Sequence, residues 1–275
     1  MSRVIAIANQ KGGVGKTTTA INLGAGLAVA EKRTLVVDMD PQGNATSGLG
    51  LDKNAVERSV YDILVEGLPM AEAIVPRVHF PYLDLVPSSQ DLVGAEVELV
   101  ERPHRELSLR NALEPIRENY QFVLLDCPPS LGLLTLNTLA AADTVLIPIQ
   151  CEFYALEGLS QLLNTIRLVQ QNLNPRLQVE GVLLTMYDNR LNLSRQVAEE
   201  AKEYFGSRVF ASVIPRNVRL AEAPSFGKPI VLYDILSAGA QSYLALANEV
   251  IANRDEADDP HAVVRAAEAA ERAGR

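Results

Sequence analysis

Apolar residues are arranged along this chain in two ways: short unbroken runs, and longer segments with apolar positions three and four apart. The runs Val4-Ile-Ala-Ile-Ala8, Thr34-Leu-Val-Val-Asp38, Leu83-Asp-Leu-Val-Pro87, Phe122-Val-Leu-Leu-Asp126, Asp143-Thr-Val-Leu-Ile-Pro-Ile-Gln150 and Val179-Glu-Gly-Val-Leu-Leu-Thr-Met186 predict strands. Their lack of alternation marks strands covered on both faces, as in parallel sheets. Helical spacing predicts helices from Thr18 to Ala30 (Ile21, Leu23, Leu27 and Ala28 facing a sheet), over 133–142, over 155–172, up to about Phe205, and over 238–253. Leu156, Leu159, Leu163, Ile166 and Val169 form the core stripe of the 155–172 helix. Ser59-Val-Tyr-Asp and Ser88-Ser-Gln-Asp predict capped helix starts, and 106–118 one more helix. Alternating strands and helices predict one three-layer α/β domain over residues 1–253, a mostly parallel twisted sheet with helices on both faces. Residues 254–275 read as a mobile tail.

Composition adds the core and the compartment. The chain has 275 residues, 48% of them apolar, enough for a sizeable core. No apolar run approaches the ~20 residues of a membrane span, and Met1-Ser-Arg-Val leads straight into a strand without room for a signal peptide. A cytoplasmic protein is expected. Cys127 and Cys151 are the only cysteines and are expected to be buried reduced thiols. The net charge of −9 argues against a surface coated for nucleic acid. Residues 190–228 nevertheless carry seven Lys/Arg against four Asp/Glu, so a basic face on an acidic protein is open.

The candidate chemistry begins at Gln10-Lys11-Gly12-Gly13-Val14-Gly15-Lys16-Thr17-Thr18, directly after the first strand. Strand, glycine-rich turn and Lys-Thr at the head of a helix is the order a phosphate-cradling loop needs. Backbone N–H groups converge on the anion, and glycine lets the chain approach closely. Lys16 is expected at the β/γ-phosphates and the Thr17 hydroxyl on Mg²⁺. Gln10 stands where the first glycine of the usual pattern belongs, and Lys11 is an added cation. At the end of the second strand, Asp38-Met-Asp40-Pro-Gln-Gly-Asn44 lies at the edge where open α/β sheets bind ligands. A carboxylate there can order a water in line with the γ-phosphate, or the two acids can be ordinary turn chemistry. Asp126 before Cys-Pro-Pro-Ser130 reads as an aspartate holding Mg²⁺ through water, or as a cap.

Lys11-Gly-Gly-x-Gly-Lys16-Thr-Thr resembles the deviant Walker A motif of the ParA/MinD ATPases, a P-loop branch that also holds the nitrogenase iron protein. The resemblance implies a P-loop NTPase fold and ATP with Mg²⁺. It implies that Lys11 reaches across a dimer interface to the partner subunit's ATP, and that Asp40, in a matching D-x-D-P-Q-G-N, activates the attacking water. The stretch Pro215-Arg216-Asn217-Val-Arg219-Leu-Ala-Glu-Ala-Pro is similar to the ParA/Soj group more than to MinD. By that analogy Pro215 and Asn217 flank the adenine, and Arg190, Arg195, Arg216, Arg219 and Lys228 form a phosphate-contacting face. No aromatics interleave with these cations, so binding to double-stranded DNA is expected to be non-specific.

The expected function is an ATP-dependent switch for chromosome or plasmid partitioning. It would be a homodimer with ATP, nucleoid-associated, and reset by a ParB-type centromere-binding protein that stimulates slow hydrolysis. A MinD-like membrane-cycling regulator of division is the alternative. The tail, with two valines and no Phe, Leu or Trp in His261-Ala-Val-Val-Arg-Ala-Ala-Glu, offers little to anchor in a bilayer. A redox iron protein, with a cluster shared between two subunits, is a third reading, for which Cys127 is poorly placed.

Overall fold

A computed structural model describes residues 2–152 and 157–257. Six strands, β1 (Arg3–Ile7), β2 (Thr34–Asp38), β3 (Leu83–Val86), β4 (Phe122–Asp126), β5 (Thr144–Gln150) and β6 (Gln178–Thr185), form one sheet in the order β3-β2-β4-β1-β5-β6. Every strand pair is parallel. The helices are α1 (Lys16–Val29), α2 (Asn44–Gly48), α3 (Met70–Ala73), α4 (Leu92–Glu98), α5 (Ser108–Leu113), α6 (Leu133–Ala141), α7 (Glu157–Asn172), α8 (Asn192–Phe205), α9 (Val218–Glu222), α10 (Ile230–Tyr233) and α11 (Ala238–Ala257).

Successive strand residues feed opposite faces, so the apolar runs build two cores. Val4, Ala6, Val37, Val123, Leu125, Val145 and Ile147 pack under α4 to α8. Ile5, Ile7, Val36, Leu124, Leu146 and Leu183 pack under α1, α10 and α11. On the second face the helices come close. A Cβ on Gly24 would meet Val36 Cγ2 at 2.9 Å, and one on Gly26 would meet the Ala247 Cβ at the same distance, so glycine sets the spacing of α1 from both sheet and α11. The Thr19 hydroxyl and the buried Tyr243 hydroxyl share a 3.1 Å hydrogen bond between these helices.

The register brings three strand ends to one level. Ile7 pairs with Asp126, and Asp126 with Asp38. Here β1 sits between β4 and β5, the strands that precede and follow α6. Chains therefore leave the sheet in both directions across β1, and the crevice at its carboxyl end is a topological switch point.

Three expectations need correction. The helix expected over 106–118 is broken into a 3₁₀ turn at Arg105–Leu107, α5 and a 3₁₀ turn at Arg117–Asn119. Pro115 supplies no amide hydrogen, and its ring clashes with a carbonyl one turn back. After Ser59, whose amide and hydroxyl both donate to Asp62 Oδ2, the chain forms a π-turn over Asp62–Glu66 instead of an α-helix. The wider turn frees the carbonyls of Leu64 and Val65, and both accept from the Arg102 guanidinium. Ser88 does not cap a helix. α4 starts at Leu92, and the Ser88 amide donates instead to Thr46 Oγ1. In α7 the buried stripe is Leu159, Leu162, Ile166 and Val169, with Leu163 only half-buried. Leu156 and the tail from 258 onward lie outside the described residues.

Candidate functional site

Seen from β1, the chain runs from Ile7 into Asn9, whose side chain braces the turn at both ends. Its Nδ2 donates to Pro148 O on β5 (2.7 Å), and its Oδ1 accepts from the Lys11 amide (3.0 Å). Thr185, at the end of β6, donates its hydroxyl to Val14 O (2.8 Å) from the other side. Between these braces Gly13 (φ 75°) and Gly15 (φ 92°) adopt the left-handed conformation, which side-chain-bearing residues reach only at a cost. Gly15 is also the N-cap of α1, so the first turn of that helix opens with unpaired N–H groups and the positive end of its dipole.

A cavity of about 340 Å³ lies over this turn, lined by Gly12, Gly13, Gly15, Lys16, Thr17, Thr18, Asp40, Gln42, Asn44, Pro129 and Met186. Gly12 and Gly13 face open space, so nothing of the protein fills the cradle that the turn makes. A larger hollow of about 460 Å³ beside the π-turn brings no such set of groups together.

Lys16 is 7% exposed, and its Nζ donates to Lys11 O at 3.2 Å. Burial lowers its pKa, and the negative charges around it, Asp126 foremost, oppose that shift. Asp126 is fully buried and its pKa is raised, first by burial and then by the adjacent Asp38. The Thr17 hydroxyl offsets this in part, yet neither Asp126 oxygen has a partner in full hydrogen-bonding geometry. A buried carboxylate in this state is a strong liability unless a cation is close.

Asp38 and Asp40 have different work. Asp38 is fully buried with its pKa raised by burial, and it accepts from the Thr46 amide and hydroxyl, both at 2.7 Å, and from the Asp40 amide at 3.2 Å. Thr46 in turn accepts from the Ser88 amide at 2.9 Å. This ties the end of β2, α2 and the end of β3 together. Asp40 reaches the cavity: its Oδ1 accepts from the Gln42 amide at 2.9 Å, and the second oxygen has no protein partner among the described residues.

Gly15, Thr18 and Met186 also line a second cavity of about 220 Å³, walled further by Thr185, Ile214, Pro215, Arg216, Asn217, Leu220, Ala221 and Tyr243. The 209–216 strip reaches this place by lying against β6, with Ile214 N donating to Leu184 O (2.9 Å) and Tyr187 N to Ile214 O (3.1 Å). Asn217 caps α9 through its Oδ1, which accepts from Leu220 N at 3.3 Å, leaving its amide nitrogen for the pocket. Met186, at φ 51°, is the one residue of the pocket besides Gly15 held in the left-handed region.

Lys11, which precedes the cavity-lining Gly12 in the chain, is half-buried, and its ammonium has no partner among the described residues. The five outer cations do not form one group. Arg190 is clamped to Asp188 by two bonds of 2.9 and 2.7 Å, which hold the Asp188 carboxyl down at about 2. Arg216, whose charge Asp188 also feels, pairs with Glu152 at 2.9 Å. Arg219 on α9 pairs with Glu222 (3.0 Å) and Asp234 (3.6 Å). Arg195 bonds Asn192 on α8, and Lys228 follows the Ala223–Phe226 turn; both are exposed, and no contact joins them to the other three.

Cys127 and Cys151 are buried, and burial pushes each thiol up to about 12, with Asp126 adding to the effect at Cys127. Both lie in the core under α4 to α8, and neither lines the cavity. Neither should react with iodoacetamide at pH 8 in the native protein, and both should after denaturation. Mass spectrometry of the alkylated chain reads this directly, and native labelling of either cysteine would contradict the burial.

A glycine turn at a helix N-terminus, a buried lysine and a half-buried threonine behind it, and two strand-end carboxylates beside it together define a P-loop nucleotide-binding protein. A family described as an AAA domain matches residues 2–179. Over 260 residues the chain is 59% identical to the chromosome partitioning protein ParA of Myxococcus xanthus, covering 94% of this chain and 91% of that protein. It is 60% identical over 253 residues to the sporulation initiation inhibitor protein Soj of Bacillus subtilis, covering 92% and 100% respectively. Among solved structures, one described as cobyrinic acid a,c-diamide synthase from Mycobacterium smegmatis with bound ATP analog and magnesium superposes with a TM-score of 0.80 at 39% identity, over 91% of this chain and 95% of that one. The chain belongs to the ParA/Soj family of chromosome partitioning ATPases.

Proposed function

We propose that this chain is an ATP-driven partitioning switch, cytoplasmic and nucleoid-associated, that dimerises on ATP, binds DNA without sequence preference and is reset by a ParB-type partner. The observation that carries the reading is that the two cavities share Gly15, Thr18 and Met186 as a common wall. Phosphate-binding groups lie at one end and the Asn217 amide at the other, so one nucleotide spans Lys16 and Asn217.

In this reading the N–H groups of Gly12 to Thr18 and the Lys16 ammonium hold the β- and γ-phosphates. The donor set fits Mg²⁺: the Thr17 hydroxyl for direct ligation and the partnerless Asp126 oxygens for a water-bridged contact. The metal, when bound, neutralises charge that develops on the phosphates. Asp40, with one oxygen held by Gln42 N and the other free, orients the attacking water. Pro215 and Asn217 flank the base, with the Asn217 amide at its edge. Lys11 has no partner for its ammonium among the described residues of its own chain and completes the nucleotide site of a second copy. The relatives named ParA and Soj support the partitioning role.

Arg190, Arg216 and Arg219 are already paired, but exposed pairs of this kind are screened by solvent and contribute little. Their carboxylate partners can be exchanged for DNA phosphates at little cost. Gel filtration with ATP, with ADP and without nucleotide, followed by DNA binding in each state, tests the whole scheme. A dimer and DNA binding with ATP alone are expected. ATP-dependent sedimentation with liposomes and none with DNA would favour a membrane-cycling role instead. Arg190→Ala and Arg219→Ala should each weaken DNA binding and lower the slope of log affinity against log salt by about 1, with dimerisation intact. Unchanged affinity in both at moderate salt would remove this face.

A further inference from the structure

Helix α4 is amphipathic on its buried side and apolar again on its outer side. Leu92, Ala95 and Leu99 are buried, whereas Val93, Val97 and Val100 are 62%, 75% and 52% exposed. Spacing of i, i+4 and i+7 places the three valines in one stripe along the helix and its C-terminal turn. Valine is a poor choice for a solvated helix face, since its χ1 is restricted there and its methyl groups gain nothing from water.

Charge says what covers the stripe. Between residues 91 and 101 the chain carries Asp91, Glu96, Glu98 and Glu101 and no Lys or Arg, and all four acids are exposed. The nearest cations in sequence are already bonded, Arg102 to the Leu64 and Val65 carbonyls and Arg105, at the end of the stripe, to the Val100 carbonyl and Glu106. A second copy of this helix would set four acids against their own equivalents, which is unfavourable. The complementary occupant is an amphipathic segment with an apolar face and flanking Lys/Arg.

The stripe also has a mechanical path to the phosphates. A Cβ on Gly132 would lie 2.0 Å from Glu96 Oε1, so the Glu96 carboxylate reaches from α4 to that residue. Gly132 closes the loop that begins after Asp126, and Pro129 in the middle of this loop lines the phosphate cavity. The Thr135 hydroxyl, donating to Ser130 O at 2.6 Å, fastens the same loop to α6.

We propose that the Val93, Val97 and Val100 stripe is the docking site for a basic amphipathic segment of the ParB-type partner, and that its occupation acts on hydrolysis through Glu96 and the Gly132 loop. The proposal rests on the partner-reset reading above. The test uses the full chain, ATP with Mg²⁺, DNA and the ParB-type protein of the source organism, with Val93→Ser/Val97→Ser and, separately, Glu101→Lys. Both variants should keep the basal hydrolysis rate, the ATP-dependent dimer and DNA binding. Each should raise the dissociation constant for the partner at least tenfold and lose most of the stimulated rate. Full stimulation of both variants, with the wild-type chain stimulated, overturns the docking site alone. Loss of the ATP-dependent dimer in the double valine variant overturns it in favour of a second copy as occupant. A wild-type chain that the partner neither binds nor stimulates overturns both this site and the partner-reset reading.

Discussion

Lys16→Ala is expected to abolish ATP binding while leaving the fold intact. The ammonium is 7% exposed and points across the loop to Lys11 O, so it is already held where the phosphates must lie. Hydrogen bonds to charged groups contribute about 1.5–3 kcal/mol each. Removing a cation that serves two phosphates should therefore cost at least a hundredfold in affinity. The stability effect has the opposite sign. A lysine whose folded pKa is lowered binds its proton less tightly folded than unfolded, so at neutral pH the charged side chain opposes folding. Without nucleotide the Lys16→Ala variant should have a melting temperature equal to or above that of the wild type. With ATP at a hundred times its dissociation constant the wild type gains about 2.7 kcal/mol, and the variant should gain nothing. Calorimetric titration and thermal melts with and without ATP check both halves. Binding within threefold of wild type would sink the assignment of this loop.

The parts of the site that were legible in the sequence are those whose chemistry is local. A phosphate turn must have its glycines, lysine and hydroxyl within nine consecutive residues, and Asp38 and Asp126 are visible because each ends an apolar run, with Asp40 two residues on in the turn that follows. The braces were not legible. Asn9 reaches Pro148, and Thr185 reaches Val14, partners 139 and 171 positions away that only the sheet order brings near. The signal at Asn9 was a polar residue between strand and loop. At Met186 there was none, since no feature of methionine announces a positive φ. Ser88 looked like a cap because cap residues and loop residues share the same chemistry, and its true partner, Thr46, belongs to another strand's loop. Charge counting over 190–228 left the pairing of its arginines out of view for the same reason. The window excluded Asp188, Glu152 and Asp234, which pair with Arg190, Arg216 and Arg219.

Asp38 and Asp40 show how the same residue type, two positions apart, divides structure from chemistry, and this gives the second large prediction. Both are acids at one strand end, but Asp38 has its oxygens occupied by Thr46 and the Asp40 amide, whereas Asp40 keeps one oxygen without a protein partner at the phosphate cavity. A carboxylate positioned on the attacking water accounts for roughly 10²–10⁴ in rate. Asp40→Ala should therefore lower hydrolysis at least a hundredfold, a loss of about 2.7 kcal/mol in transition-state stabilisation. Nucleotide binding depends on Lys16 and the loop amides, so the variant should still bind ATP and accumulate as an ATP-bound dimer. Asp40→Asn separates the two roles of the side chain, because its Oδ1 still accepts from Gln42 N but the amide cannot act as a base. If the turn alone mattered, the asparagine variant would hydrolyse like wild type; if the carboxylate acts on water, both variants should be equally slow and both dimeric by light scattering with ATP. A monomeric Asp40→Ala variant in saturating ATP would refute the trap. Hydrolysis within threefold of wild type in Asp40→Asn would move the base to another residue.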